Sequence, residues 1–314
     1  MRYDTTDRQS DRVEDRRGRG GLFPGGGGGV IIPIGGGGRG LGLGWLLLIG
    51  IGLLLLGINP LALLTGGGLR MPDMPGPNAP RTGAPDLPGI PGQPGVGQSS
   101  DAMAKFVRQV MADNEDVWER VFKSAGKQYQ KPTLVLFSGG THTACGPGQS
   151  AMGPFYCPLD QKIYVDLSFY DFMKRRFGAS GDFAQAYVIA HEIGHHVQNL
   201  LGIADAVQEA KMRASSQAEA NALQVRMELQ ADCLAGVWAS LNDQVRSRLE
   251  QGDIEEGLKA AAAIGDDMIQ RRTQGYVVPD AFTHGTSAQR VKWFRRGLEA
   301  GQVKACDTFS PADV

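Results

Sequence analysis

Apolar positions fall into distinct regimes along the 314-residue chain. Up to residue 39 they show no periodicity among arginines, aspartates and glycine runs such as Gly25 to Gly29, a composition that buries too little apolar surface to fold, so disorder is expected. From Gly40 to Leu64 the chain is almost wholly apolar, interrupted only by glycines, Asn59 and Pro60. A helix of ~20 such residues spans a bilayer, so one transmembrane helix is predicted there. Residues 65–100 are dominated by Pro and Gly and read as a disordered, semi-extended linker.

Regular periodicity begins at Asp101 and marks a globular domain over residues 101–314. Phe106, Val110, Met111, Val117 and Val121 recur at helical spacing. A strand is expected at Thr133 to Phe137, then a Gly-, Pro- and Cys-rich loop from Ser138 to Asp160. A second strand, Lys162 to Ser168, alternates Ile163, Val165 and Leu167 with Tyr164, Asp166 and Ser168, as a strand buried on one face does. Helices follow at about 169–177, 183–201, 217–242, 253–272 and 287–300, giving an α+β class with strands first and helices later.

The net charge of -1 and the lack of a basic patch interleaved with aromatics argue against a nucleic-acid partner. Arginine is unevenly placed. Arg2, Arg8, Arg12, Arg16, Arg17, Arg19 and Arg39 precede the apolar run, whereas Arg70 and Arg81 follow it in the linker. That bias predicts a cytoplasmic N-terminus, one crossing of the inner membrane, and a domain in the periplasm or outside the cell. Cys145, Cys157, Cys233 and Cys306 all lie in that exported part, where disulfides persist. Four cysteines allow three pairings; Cys145 with Cys157 and Cys233 with Cys306 are the expected ones, against reduced thiols or a second metal site.

The candidate chemistry is a His-Glu-x-x-His pattern at His191, Glu192 and His195, on a predicted helix with Asp182 as N-cap, Gln185 as capping-box partner and Gly202 at its stop. Residues four apart share a helix face, so both imidazoles project to one side about a turn apart. Glu192 sits about 100 degrees round, within reach of a metal-held water without itself ligating. One zinc ion suits such a site, because it lowers the pKa of its water to about 7 and Glu192 can take that proton. The third ligand is expected from Glu228, with Asp232 one turn on as acceptor for the free ring N–H of a ligand histidine. Ala235 and Gly236 are expected to let the two helices approach closely. His196 points away from His195 and reads as a packing or polar contact, and His142 as a surface residue. His284, Tyr276 and Arg290 are candidates for a donor to the developing oxyanion.

His191-Glu192-Ile193-Gly194-His195-His196, Glu228 to Asp232, Gly153-Pro154-Phe155-Tyr156-Cys157-Pro158 and Phe282-Thr283-His284-Gly285 together resemble the bacterial neutral zinc metallopeptidases, the YpfJ-like proteins. The likeness runs from about residue 101 to the C-terminus and extends to the basic start, single anchor and linker. It implies a zincin fold of the gluzincin kind, with the motif helix beneath a small sheet and a glutamate on the following helix as third ligand. Thr-His-Gly-x-x-x-x-Arg is also similar to the Thr-His-Pro-x-x-x-x-Arg of membrane-associated gluzincins, with Gly285 in place of their proline. The implied activity is zinc-dependent endopeptidase hydrolysis of a peptide or protein substrate, with Lys162 to Ser168 as the edge strand along which substrate lies. The alternative is a structural zinc in a binding or scaffold module of the cell envelope; Glu192 speaks against it, since a closed site has no use for that carboxylate.

Overall fold

The computed structural model describes residues 1–18, 96–177 and 181–310. The apolar run 40–64 lies outside them, as do residues 19–39 and 65–95; no helix among the described residues is long and apolar enough to cross a membrane. Residues 1–18, where disorder is expected, are ordered and end in strand β1 (Val13–Asp15). Helix α1 (Val96–Ser124) starts within the expected linker. Then come β2 (Thr133–Phe137), the hairpin β3 (Gly140–Thr143) and β4 (Gly146–Gln149), β5 (Phe155–Cys157) and β6 (Lys162–Asp166). The remainder is helical: α2 (Ser168–Phe177), α3 (Asp182–Leu200), α4 (Ile203–Arg213), α5 (Gln217–Arg246), α6 (Asp253–Ala263), α7 (Asp266–Gln274) and α8 (Ser287–Ala300). The class is α+β and mostly helical.

The four-stranded sheet has the order β1-β2-β6-β5, with β5 antiparallel and the other pairs parallel. Strand β6 is therefore interior, which corrects its expected place at the sheet edge; β1 and β5 are the edges. Nor is β6 buried on one face only, because Tyr164 and Asp166 are buried along with Ile163 and Val165. Leu134, Leu136, Ile163 and Val165 face the helices, while Val135, Phe137, Tyr164 and Cys157 form a second apolar cluster covered by Cys145 and Phe155. The Gly/Pro-rich stretch expected to be a loop supplies that cover, and its strands are too short for alternation to register. Phe155 stacks on Tyr164 with ring centroids 5.0 Å apart.

Both disulfides pair as expected, Cys145–Cys157 across the small cluster and Cys233–Cys306 from α5 to the C-terminal turn. The expected helix 253–272 is two helices, broken at Gly265, where a Cβ would sit 2.3 Å from the Ser287 nitrogen. Helix α4 was not expected: only Val207 is buried along it, so its apolar stripe is too thin to read. Gly236 packs against α8, where a Cβ would fall 2.1 Å from the Phe294 carbonyl oxygen, and not against α3. Helices α3 and α5 approach through Gly194 and Ala231 instead, the Gly194 Cβ position lying 3.0 Å from the Ala231 Cα.

Candidate metal centre

Helix α3 carries the motif through the interior: Phe183, Tyr187, Ala190 and Val197 are buried in the main core, so the helix axis is fixed by packing on several sides. Asp182 is its first residue but does not cap it, and no side chain caps its start. The Asp182 carboxylate instead accepts from the Met1 amino group at 2.5 Å, and Gln185 Oε1 is left without a partner, so the capping box is not formed. Gly202 takes the left-handed conformation (φ 76°) just past the helix end, the turn that only glycine adopts freely.

His191 and His195 stand with ring centroids 4.8 Å apart and planes at 87°. Helix α5 crosses behind them and delivers Glu228. Its Oε2 lies 3.2 Å from His191 Nε2 and 3.4 Å from His195 Nε2, so two imidazole nitrogens and a carboxylate oxygen converge on one point. The far side of each ring is engaged. His191 Nδ1 donates to Asp232 Oδ1 at 2.9 Å, and His195 Nδ1 donates to Gln198 Oε1 at 2.9 Å. Donation through Nδ1 leaves both Nε2 atoms, which face Glu228, as the positions a metal would take once their protons are lost. An N2O donor set with these supports fits zinc. These residues are brought together from three turns of one helix and two of another.

Asp232, fully buried, is itself surrounded by donors: Arg290 Nε at 2.8 Å, Arg290 Nη2 at 2.9 Å and the Tyr187 hydroxyl at 2.5 Å. Arg290 is thereby committed. It is buried, gives Nη1 to the Ile264 carbonyl, and stands behind His191 rather than over the metal point, which corrects its candidacy as an oxyanion donor. Glu228 Oε1 accepts from Gln224 Nε2 at 2.8 Å. Gln198, also fully buried, gives its amide hydrogens to the Met227 carbonyl and to Gln230, and Gln230 donates to the Cys306 carbonyl at 2.9 Å. One amide therefore holds both His195 and the backbone next to Glu228. Gln198 and Arg290 are the supports that sequence reasoning missed. The i, i+3 spacing of Gln198 from His195 carried a signal; nothing local tied Arg290 to Asp232.

Glu192 is buried beside the ligands, and burial, partly offset by the two histidines, raises its pKa from the ordinary glutamate value. It belongs to none of the three converging donor atoms. His284 lies on the loop before α8, with Nδ1 3.0 Å from Thr283 Oγ1 and 3.3 Å from Asp266 Oδ1. Asp266 Oδ2 accepts from the backbone nitrogens of Thr283, His284 and Gly285, so one carboxylate shapes the whole turn. Gly285 has φ 87°, a conformation that proline cannot take. His284 is close enough to Glu228 for their charges to act on each other. Tyr276 is 63% exposed, and no described contact links its side chain to the site. His196 is fully buried between the Tyr156 hydroxyl at 3.0 Å and the Gln130 carbonyl at 2.6 Å, and burial lowers its pKa to about 4, so it is a neutral tie between α3 and β5. His142 is exposed.

A second acidic group, Asp182, Asp253 and Glu256, is close enough to hold a cation, but the Met1 amino group already bonds two of its members.

Similarity places these residues in a lineage. The sequence pattern of the family described as "putative neutral zinc metallopeptidase" matches residues 1–309. The Escherichia coli K12 protein YpfJ is 48% identical over 302 residues, covering 96% of each chain. The Mycobacterium bovis protein Mb2605 is 44% identical over 221 residues, 67% of this chain and 73% of that one. No solved structure matches. With a family match over nearly its whole length and half its residues shared with a full-length relative, the chain belongs to the neutral zinc metallopeptidase family.

Proposed function

We propose that the protein is a zinc-dependent endopeptidase, held at a membrane by its apolar run 40–64 and acting on peptide or protein substrates in an oxidising, exported compartment. The observation that carries the reading is the convergence of His191, His195 and Glu228 beside a buried carboxylate, Glu192, that does not join them. The family supports zinc and peptidase chemistry, and the two disulfides support the compartment.

His191, His195 and Glu228 would hold the ion, which supplies Lewis acidity to a substrate carbonyl and acidity to a water. Glu192 is the general base and later the acid: it is buried beside the ligands, and that burial shifts its pKa upward, the direction that favours taking a proton and returning it to the departing amine. Asp232 and Gln198 keep the ligand rings in register. His284, steadied by Asp266, is the donor assigned to the developing oxyanion. Strand β5 is the edge nearest the motif helix, tied to it by Tyr156 to His196 and Asn199, so an extended substrate would add to β5.

The test is cleavage of unfolded protein and peptide libraries by the purified full chain, beside Glu192→Gln and a chelator-treated sample. Zinc retained with turnover lost in Glu192→Gln supports the reading. Equal cleavage by wild type and Glu192→Gln refutes it.

A further inference from the structure

The first 18 residues are a strap laid across the domain. The Met1 amino group bonds Asp182 and Asp253 at the starts of α3 and α6. Tyr3 sets its ring edge-on to Phe106, gives its hydroxyl to Asp113 and lies under the Arg248 guanidinium, 4.3 Å away. Asp7 pairs with Arg248 at 2.7 Å. Arg8 reaches Glu115 at 2.9 Å and Asp116 at 2.8 Å, and Ser10 also bonds Glu115. Strand β1 then closes on β2 in parallel, Val13 opposite Leu134 and Asp15 opposite Leu136.

Two features show that the domain is built around this strap. Glu115 is only 2% exposed, and the hydrogen bonds described for its carboxylate come from Arg8 and Ser10, both in the strap. Both of these partners, and the cover the strap gives Glu115, would be lost without residues 1–18. Met1, Ser10 and Val13 are themselves buried, and the family match starts at residue 1 rather than at the domain.

A strand cannot pair with its neighbour through a bilayer. We propose that residues 1–18 and the disulfide-bonded domain lie on the same side of the membrane. This replaces the one-crossing arrangement that the arginine bias suggests. In the folded strap Arg8 is paired with Glu115 and Asp116, Arg16 with Glu14 and Arg17 with Asp15. Which side is shared rests on the exported reading above; that it is shared does not.

The experiment uses the full chain in spheroplasts of a Gram-negative host, with single cysteines at exposed positions: Thr5→Cys or Gln9→Cys in the strap, and Val245→Cys, whose valine is 57% exposed, in the domain. The native cysteines are all paired, so a membrane-impermeant maleimide reports only the new thiol. Equal labelling of strap and domain before lysis is the expected result. Labelling of both only after lysis also supports a shared side while removing the exported placement. Domain labelled before lysis and both strap positions only after it, or the reverse, overturns the inference.

Discussion

Arg290 grips Asp232 through two nitrogens, Nε to Oδ2 at 2.8 Å and Nη2 to Oδ1 at 2.9 Å, with both side chains withdrawn from solvent. The same Oδ1 receives the His191 Nδ1–H, so the ion pair at the rear of the site sets the direction of a ligand at its front. Arg290→Leu should leave a buried carboxylate uncompensated and cost about 3–5 kcal/mol of stability in denaturant unfolding. Its zinc affinity should fall as well. An Arg290→Leu protein as stable as wild type would show that Asp232 finds another partner.

Gln198 supports the other histidine. Gln198→Leu removes the acceptor for His195 Nδ1, and zinc affinity should drop by about 10–100-fold in chelator competition. Gln198→Glu keeps an acceptor oxygen and should recover most of that loss. Equal affinities for the Leu and Glu variants would mean that Gln198 matters only for packing.

Zinc loading should release protons. Burial opposes charge on His191, but the Asp232 carboxylate and the bonds from Asp232 and Glu228 outweigh it, raising its pKa to about 10 without metal. His195 is raised too, by Glu228 against burial. At pH 7 the His191 ring of the metal-free protein is therefore protonated, and binding should release its proton, with a further contribution from His195, read as the buffer dependence of calorimetric heats. The signs are opposite for fold and metal. A raised histidine pKa stabilises the metal-free fold fully below the unfolded value of about 6.5, and this contribution is lost as pH rises through about 10. Zinc affinity instead increases over that range. No proton release at pH 7 would contradict this account.

The two disulfides should differ in worth. Cys233–Cys306 closes a 73-residue separation and Cys145–Cys157 one of 12, so the longer loop constrains the unfolded chain more. Replacing Cys233 and Cys306 by serine should cost about 2–5 kcal/mol, more than the other pair, in parallel urea titrations. It should also hasten zinc loss, because Gln230, bonded to Gln198, leans on the Cys306 carbonyl.

Much of the site was legible from spacing alone. His191, Glu192 and His195 declare themselves by period, and Glu228 and Asp232 by being charges one turn apart in an apolar helix. Helix bounds were readable where capping is local, as at Thr286, whose hydroxyl accepts from Gln289 while Gln289 returns the bond. What was hidden depends on distant partners. Asp182 looks like a cap, yet its carboxylate is drawn to Met1, 181 residues away. Tyr164 and Asp166 look solvent-facing until a Gly-rich hairpin covers them. Gly236 suits either neighbour, and only the fold shows that α8 is the one. The arginine-rich start has the composition of a disordered tail because its partners, Asp113, Glu115 and Asp116, lie about 100 residues on in a separate helix.

Strand β1 also puts synthesis and folding in opposite order. Its residues are made before β2, the strand they pair with, which follows more than 100 residues later, and Asp253, which holds Met1, comes later still. Contacts of such long sequence separation form late, because loop closure must precede any gain from them. Until then the outer edge of β2 stands open, a row of unpaired backbone groups able to accept a strand from another chain. Strand β1 is thus set in place late, and its arrival closes the open edge of β2.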